Sequence, residues 1–341
     1  MQQTTPLISV IIPSYNHQAF IGAAIDSVLQ QTYQHFELIV IDDHSSDRSL
    51  EVIEKYQDPR IKLDQHAHNI GASETINEGI RQARGDYIAI LNSDDVFMPN
   101  RLARLLEVAQ QESAAFITTD VELIDKTGEI VRDKNHYWIQ WVDELRARYA
   151  SSGDIVQAIL AGNFFISTSN FFIHRTVFER IGYFHDYRYT SDYEFILRYL
   201  ADNYSRAVYL FDEKLLQYRL HGSNTILEAW IPPHLETFQI LTRWLPEIIQ
   251  QPLDKQRCRA TNHQLERILG AIMHEHQRTI GELSGTSSPQ QSGNFGKLMM
   301  LWLTSGQKLT TVKKFLHLLL SQGIGSALQQ TRAWYHFRKK H

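Results

Sequence analysis

Short apolar runs recur through the N-terminal third of the chain and alternate with longer segments whose apolar positions have helical spacing. Uninterrupted apolar runs are typical of strands that are buried on both faces of a parallel sheet. The pattern predicts strands at 7–12, 37–42, 60–64 and 87–91. It predicts helices at 18–31, 46–56, 71–83 and 99–111. This alternation predicts an α/β fold, with a mostly parallel central sheet and helices on both faces.

The alternation becomes less regular after residue 113. Two extended segments, at 114–124 and 129–132, predict a hairpin whose turn is Asp125-Lys126-Thr127-Gly128. A strand at 169–174, a helix at 190–201 and an extended segment at 207–220 follow. Beyond them the pattern predicts a helical C-terminal region, with helices at 234–250 and 255–283.

Changes in composition predict the domain boundaries. We expect one α/β domain at 1–225 and a helical extension at 226–283. Residues 284–296 are rich in Ser, Gly and Gln, which indicates a linker. Residues 297–341 contain eight Lys or Arg and no Asp or Glu, and they predict a basic amphipathic helical tail.

The basic tail contrasts with the chain as a whole, whose net charge is −4. A basic and apolar segment attached to an acidic body predicts contact with an anionic membrane surface, or self-association as a homo-oligomer. The alternative is that the tail packs on the preceding domain. We expect no nucleic-acid partner.

Composition also indicates the compartment. Cys258 is the single cysteine, so the chain has no intrachain disulfide and fits a reducing environment. The N-terminus lacks a basic segment followed by an apolar core, and no run of about 18 uncharged apolar residues is present. We therefore expect a cytoplasmic protein, with peripheral attachment to the inner face of the membrane as the role of the tail.

Carboxylates follow two of the predicted strands. Asp42-Asp43 comes after the second strand, and Asn92-Ser93-Asp94-Asp95 comes after the fourth. Open α/β folds bind ligands at the carboxyl ends of their strands, and clustered carboxylates suit a hard divalent cation. These motifs predict metal-assisted chemistry on a phosphate-bearing ligand. The alternative is that both motifs are polar turns and helix caps.

The turn after the first strand, Pro13-Ser14-Tyr15-Asn16, contains no glycine. Its backbone is therefore not expected to cradle a pyrophosphate. An aromatic residue at this position either stacks on a nucleobase or packs on the edge of the sheet, and the sequence leaves both roles open for Tyr15.

Several motifs in a fixed order carry a family resemblance. Ile-Ser-Val-Ile-Ile-Pro-Ser-Tyr-Asn at 8–16, Ser-Val-Leu-Gln-Gln-Thr-Tyr at 27–33 and Phe-Glu-Leu-Ile-Val-Ile-Asp-Asp-His-Ser-Ser-Asp at 36–47 resemble family 2 of the inverting glycosyltransferases, which have the GT-A fold. Asn69-Ile70-Gly71, Asn77-Glu78-Gly79, Gly85-Asp86-Tyr87 and Asn-Ser-Asp-Asp extend the resemblance, which covers residues 7–222.

The resemblance implies a nucleotide-diphosphate-sugar donor, usually a UDP-sugar, and a divalent metal, Mn²⁺ or Mg²⁺. Pro13, Tyr15 and Asp43 match family positions that hold the base, and Asp94 matches the metal ligand of the Asp-x-Asp signature. Asn92 replaces the first Asp of that signature. We expect Asn92 to bind the ribose without adding charge, and the metal to bind more weakly as a result.

On the acceptor side, Asp192 matches the catalytic base of the family, and Ser191 replaces the Glu that precedes it there. The N-terminal end of a helix would stabilise the carboxylate of Asp192 and keep it ionised. Two alternatives stay open: Asp192 is only a helix cap, or Glu194 is the base.

Gln217-Tyr218-Arg219-Leu220-His221 resembles the family's Tyr-Arg-x-His segment. The resemblance implies that Arg219 or His221 reaches the departing diphosphate and that His221 binds the metal. The remaining histidines that we considered lack such a context and are expected to be surface or packing residues: His66, His68, His274 and His276.

These predictions combine into a metal-dependent inverting glycosyltransferase of cell-surface polysaccharide or glycan biosynthesis, with a glycan or lipid-linked acceptor. Asp192 would deprotonate an acceptor hydroxyl, and the metal would neutralise the leaving diphosphate. A sugar-phosphate nucleotidyltransferase is the first alternative, although residues 13–19 lack its Gly-rich basic loop. A degenerate GT-A interaction module is the second, because Asn92 and Ser191 depart from the family pattern.

Overall fold

The structure is a computed structural model that describes residues 5–133, 135–202, 207–222, 224 and 231–249. The predicted helix at 255–283, the predicted linker at 284–296 and the predicted basic tail at 297–341 lie outside the described residues. None of the helices that the structure describes is both long and apolar enough to cross a membrane.

Eight strands and nine helices are defined within this described part of the chain. The strands are β1 (Ile8–Ser14), β2 (Phe36–Asp42), β3 (Ile61–Gln65), β4 (Tyr87–Ile90), β5 (Val96–Phe97), β6 (Phe116–Ile124), β7 (Phe172–His174) and β8 (Ala207–Arg219). The helices are α1 (Ile21–Leu29), α2 (Ser49–Ile53), α3 (Ala72–Gln82), α4 (Arg101–Glu112), α5 (Tyr137–Ser152), α6 (Ile155–Ala161), α7 (Thr176–Ile181), α8 (Ser191–Asp202) and α9 (Ile231–Ile249).

All eight strands form one sheet, in the order β3-β2-β1-β4-β7-β6-β8-β5. The β3–β4 half is parallel, as the alternation of strands and helices predicted. In the other half β7 runs antiparallel to both of its neighbours, β5 runs antiparallel to β8, and β6 pairs with β8 in parallel. This arrangement confirms the predicted α/β fold of the GT-A type.

Alternate residues of the central strands enter two separate cores, one on each face of the sheet. Ile39 and Ile41 belong to one buried cluster, whereas Leu38 and Val40 belong to the other. A strand that is buried on both faces must be apolar at every position, which explains the uninterrupted runs in the sequence.

The register of the parallel strands brings their carboxyl ends to one edge of the sheet. Ser14 at the end of β1 lies opposite Asp42 at the end of β2. The Ser14 carbonyl accepts a hydrogen bond from the Asp43 amide at 2.8 Å, and the Ile11 carbonyl accepts one from the Leu91 amide at 2.9 Å. The turns after β1, β2 and β4 are therefore neighbours, and we call this place the carboxyl edge.

The predicted hairpin forms, but its second strand is short. Ile124 and Ile130 make an antiparallel bridge, and the Val131 amide donates to the Leu123 carbonyl at 2.9 Å across the turn at 125–128. β6 also pairs along its length with β8. The strand predicted at 169–174 begins only at Phe172, because Thr168–Asn170 form a 3₁₀ turn that the Ser167 hydroxyl caps.

Helix α9 follows the predicted domain boundary near residue 225, and the core continues across that boundary. Its Ile240 and Leu241 are buried in the same cluster as Tyr193 and Phe195 of α8. The described part of the C-terminal region is therefore packed on the α/β domain.

Candidate active site

The turn after β1 is held in place by the turn after β2. The side-chain oxygen of Asn16 accepts hydrogen bonds from the Ser46 amide at 2.7 Å and the Asp47 amide at 3.3 Å. Asn16 has a φ of +54°, a left-handed conformation that Asn tolerates better than most residues. Tyr15 stands beside it with 47% of its surface exposed, and Pro13 is half-buried. The aromatic face of Tyr15 is thus open at the carboxyl edge.

Asp43 is buried, with 3% exposure, and three donors surround its carboxylate. Oδ1 accepts from the Ile70 amide at 2.8 Å and lies 2.7 Å from Nδ1 of His66, and Oδ2 accepts from the Gly71 amide at 2.9 Å. Gly71 has a φ of +92°, which favours glycine at this position. The Asn-Ile-Gly motif therefore presents backbone amides to Asp43.

His66 is not the surface or packing residue that the sequence predicted. Its Nδ1 lies against Asp43, and its Nε2 lies 3.1 Å from Oε2 of Glu78. Burial would lower the pKa of His66, but the hydrogen bond to Asp43 and the nearby charge of Glu78 outweigh it and raise the pKa. The sequence offered no signal for this role, because His66 is distant from both carboxylates along the chain. His68, by contrast, is exposed as predicted.

Three turns contribute to a cluster of potential metal ligands: His17, Asp94 and His221. One ligand atom from each residue lies within 4.8 Å of the other two. Nε2 of His221 is 2.9 Å from Oδ2 of Asp94, and Nδ1 of His17 is 2.7 Å from the Ser93 hydroxyl. Burial would raise the pKa of Asp94, but the hydrogen bond to His221 and the nearby His17 lower it.

The donor set of this cluster fits a divalent transition metal. One carboxylate and two imidazoles suit Mn²⁺ better than Mg²⁺, which prefers oxygen ligands. The Ser93 hydroxyl at Nδ1 of His17 orients that ring, as outer-sphere partners commonly do for histidine ligands. Sequence analysis selected Asp94 and His221 and missed His17, whose only signal was its place in the same turn as Tyr15.

Asp95, next to Asp94, does not face the cluster. It is buried, and it accepts hydrogen bonds from the Ser169 hydroxyl at 2.6 Å and the Arg219 amide at 2.8 Å. Burial and the charge of Asp94 raise the pKa of Asp95 well above its usual range. The fully buried Arg101 lies nearby, and burial lowers its pKa to about 9. The two acidic residues of the motif thus have different surroundings, and Asp95 anchors the loop.

Asn92 and Arg219 flank Asp94. The side-chain oxygen of Asn92 accepts from the Thr168 hydroxyl at 3.0 Å. Nε of Arg219 donates to the Asp94 carbonyl at 2.7 Å, and Nη1 donates to the Asp125 carbonyl at 3.1 Å. Burial lowers the pKa of Arg219. Because two of the five N–H groups of this guanidinium contact backbone carbonyls, a diphosphate would use the remaining ones.

Asp192 lies in the first turn of α8 and is not its cap. The preceding Thr190 carbonyl accepts from the Glu194 amide at 2.9 Å, and α8 starts at Ser191. Oδ1 of Asp192 accepts from the Tyr193 amide, and Oδ2 accepts from Nδ2 of Asn163, each at 2.7 Å. Burial nevertheless raises the pKa of Asp192 to about 7. The sequence predicted that the N-terminal end of the helix keeps this carboxylate ionised, but its pKa is raised because desolvation outweighs both hydrogen bonds.

Glu194, the alternative base, is fully buried. Its Oε1 accepts from Nε1 of Trp244 at 2.9 Å and lies 3.0 Å from Nδ1 of His185. Both of its oxygens accept from the Arg198 guanidinium at 3.1 Å. These contacts leave Glu194 no direct access to an acceptor, so Asp192 is the better candidate for the base.

The half-parallel sheet, with a site along its carboxyl edge, is an arrangement of the GT-A type. Residues 9–182, just over half of the chain, match the family model described as glycosyl transferase family 2, and the chain belongs to this family. Membership of this family argues against the alternative hypothesis of a sugar-phosphate nucleotidyltransferase. Asp192, Arg219 and His221 lie beyond the matched segment.

Two curated relatives are similar over the N-terminal part of the chain. The E. coli protein WfgD, a UDP-Glc:alpha-D-GlcNAc-diphosphoundecaprenol beta-1,3-glucosyltransferase, is 37% identical over 36% of this chain and 48% of its own length. TuaG of Bacillus subtilis, a glycosyltransferase assigned to teichuronic acid biosynthesis, is 36% identical over 38% of this chain and 52% of its own length. The matched region spans about half of each relative.

Solved structures share the fold at low sequence identity. S. aureus TarS in complex with UDP-GlcNAc has a TM-score of 0.58 and 19% identity, and the match covers 76% of this chain and 72% of TarS. The mannosyltransferase PcManGT from Pyrobaculum calidifontis, in complex with GDP-Man and Mn²⁺, has a TM-score of 0.53 and 14% identity, with coverage of 88% and 86%.

Proposed function

We propose that this chain is a metal-dependent inverting glycosyltransferase that moves a hexosyl group from a UDP-sugar to a hydroxyl of a glycan or lipid-linked acceptor. The observation that carries the proposal is the cluster of His17, Asp94 and His221 at the carboxyl edge, where nucleotides bind in α/β folds. Asp192, with its raised pKa, supplies a base within the same domain.

Donor recognition is assigned to the turns after β1 and β2. Oδ1 of Asp43 has two partners and Oδ2 has one, so Oδ2 keeps the greater capacity to accept the N3–H of uracil. Tyr15 offers an exposed face for stacking on the base, with Pro13 beside it, and Asn92 would bind the ribose. The UDP-Glc in the name of WfgD and the UDP-GlcNAc bound to TarS support a uridine donor.

The metal cluster and Arg219 act on the leaving group. His17, Asp94 and His221 would hold Mn²⁺, which neutralises charge on the departing diphosphate when it is bound. The guanidinium of Arg219 lies against the Asp94 carbonyl and adds a fixed positive charge beside that position. Replacement of the signature Asp by Asn92 removes one negative charge from this end of the site.

Asp192 would accept the proton of the acceptor hydroxyl, which attacks the anomeric carbon on the face opposite the nucleotide. A pKa of about 7 suits this task, because a base works best when its pKa lies near the operating pH. Asn163 holds Oδ2 of Asp192 at 2.7 Å and so fixes the plane of the carboxylate. The displacement occurs in one step with inversion and requires no carboxylate nucleophile.

The acceptor class is supported by the relatives and by the tail. WfgD is named for an acceptor on diphosphoundecaprenol, and TuaG for teichuronic acid biosynthesis, so we propose a role for this enzyme in cell-surface polysaccharide biosynthesis. The eight cations of 297–341 would hold it as a peripheral protein at the inner face of the membrane, where a lipid-linked acceptor lies.

The proposal is tested by calorimetry of UDP binding to the full chain with and without Mn²⁺, followed by turnover of UDP-glucose and UDP-GlcNAc. We expect UDP affinity to depend on Mn²⁺ and at least one donor to be consumed. If the chain binds neither UDP nor GDP in the presence of Mn²⁺ and consumes no donor, it is a degenerate interaction module and not an enzyme.

A further inference from the structure

Helix α9 reaches the proposed catalytic side of the molecule, although it lies beyond the segment that matches the family model. Its apolar residues share a core with α8, the helix whose first turn carries Asp192. Any residue of α9 that contacts the start of α8 can therefore influence the proposed base.

Glu236, in the second turn of α9, binds the segment that leads directly into α8. Its Oε1 accepts from the Arg188 amide at 3.1 Å. Its Oε2 accepts from the Tyr189 amide at 2.9 Å and from the Thr190 hydroxyl at 3.0 Å. The Thr190 carbonyl in turn accepts from the Glu194 amide at 2.9 Å. The carboxylate of Glu236 thus binds the three residues that directly precede α8.

A second contact holds α9 at a defined position along α8. Nε1 of Trp244, about two turns after Glu236, donates to Oε1 of Glu194 at 2.9 Å. Glu194 is also bound by Arg198, one turn further along α8. α9 therefore contacts the chain on both sides of Asp192, at 188–190 before it and at Glu194 after it.

Packing alone would not favour a carboxylate in this place. Glu236 is half-buried, and burial raises its pKa. A desolvated carboxylate costs free energy unless several donors compensate it, and here three donors converge from three consecutive residues. That arrangement indicates a residue whose role is to fix the geometry of 188–190.

We propose that Glu236 is a positioning residue for sugar transfer, which holds residues 188–190 and thereby sets the place of the Asp192 carboxylate. The inference rests on the proposed function of Asp192. Asp43 and Asp94 lie on other elements, so loss of Glu236 should affect turnover and not donor binding.

Donor hydrolysis provides the test, because water takes the place of the acceptor. The kcat and KM of the full chain are measured with Mn²⁺ and the faster of UDP-glucose and UDP-GlcNAc. In Glu236→Gln we expect kcat to fall by about 10- to 100-fold, the scale of misplacing a reacting group, with KM within about twofold. Glu247→Gln, on an exposed position of the same helix, is the matched control and should leave both constants unchanged.

An unchanged kcat in Glu236→Gln would overturn the positioning role, as would an equal loss of kcat and of UDP affinity. Amide hydrogen exchange gives a second measurement that needs no turnover. Glu236→Gln should speed exchange across 188–194 and leave 41–47 unchanged, and equal exchange in both proteins would also overturn the inference. If Asp192→Asn leaves hydrolysis unaffected, the proposed function fails instead, and the exchange result still decides whether Glu236 holds the loop.

Discussion

Asn163 donates a hydrogen bond of 2.7 Å to Oδ2 of Asp192, and this contact joins the proposed acceptor side of the site to a loop that also supports the donor side. In the same loop the Thr168 hydroxyl donates to Asn92 at 3.0 Å. Between them Ile166 has a φ of +75°, a conformation that costs about 1–3 kcal/mol in a residue without special freedom. A strained loop with contacts to both sides indicates that site geometry constrains its conformation.

Asp192→Asn should lower sugar transfer by about 10²- to 10⁴-fold, the usual contribution of a positioned base. The side chain keeps its size and its contact with Asn163, so the melting temperature and UDP affinity should stay near those of the wild type. Rates come from UDP release, and affinity from calorimetry. The exposed Asp186→Asn is the matched control, and transfer at the wild-type rate in Asp192→Asn would remove Asp192 from the role of base.

The reaction rate should rise with pH through about 7, because the protonated form of Asp192 cannot accept a proton. The profile is measured as kcat for donor hydrolysis at saturating Mn²⁺. In Asp192→Asn, kcat should no longer rise with pH in this range. A wild-type profile that is flat between about pH 5 and 8 would contradict a base with this pKa.

The carboxyl group of Asp192 should make the folded protein less stable as pH rises, although it makes the reaction faster. A folded-state pKa of about 7, above the ordinary carboxyl value, means that the folded protein binds this proton more tightly than the unfolded chain does. Its contribution to stability is present at low pH and is lost as pH rises from about 4 towards 7. The melting temperature of the wild type should therefore fall more than that of Asp192→Asn over this range.

Asp94→Ala should abolish transfer and remove the dependence of UDP binding on Mn²⁺. His17→Ala tests the ligand that sequence analysis missed, and it should weaken Mn²⁺-dependent UDP binding by at least about tenfold, or ~1.4 kcal/mol. Calorimetry measures both variants. The exposed His68→Ala is the control, and a His17→Ala protein that binds Mn²⁺ and UDP like the control would exclude His17 from the metal site.

Donor selectivity should favour UDP over GDP and dTDP in competition at equal concentrations. Asp43→Ala should lower UDP affinity, because it removes the acceptor for the uracil N3–H and leaves the Ile70 and Gly71 amides without their partner. His66→Ala should produce a smaller loss of the same kind, since it removes one of three donors to Asp43. Tighter binding of GDP than of UDP would contradict the uridine assignment.

Membrane attachment is tested by flotation with liposomes. The full chain should float with anionic vesicles and not with neutral ones, because each cation near an anionic leaflet contributes about 1 kcal/mol. Removal of 297–341 should abolish flotation. Equal flotation of the shortened chain would assign the contact to another surface, without affecting the transferase proposal.

The sequence by itself determined the parallel half of the fold and the place of Asp43 and Asp94. Strand and helix signals are local, and the right-handed alternation of these elements brings the carboxyl ends of neighbouring strands together. For this reason the ends of β1, β2 and β4 could be identified as a ligand-binding edge from their apolar runs alone.

The tertiary structure decided which side chains meet at that edge and what their chemistry is. His17 approaches Asp94 and His66 approaches Asp43 across long stretches of chain, and no periodicity encodes such a pairing. The raised pKa of Asp192 could not be predicted either, because the sequence shows the start of the helix but not the burial of the carboxyl group. Hydrogen bonding and desolvation depend on distances of a few ångströms between elements, and only the packing of the whole domain sets those distances.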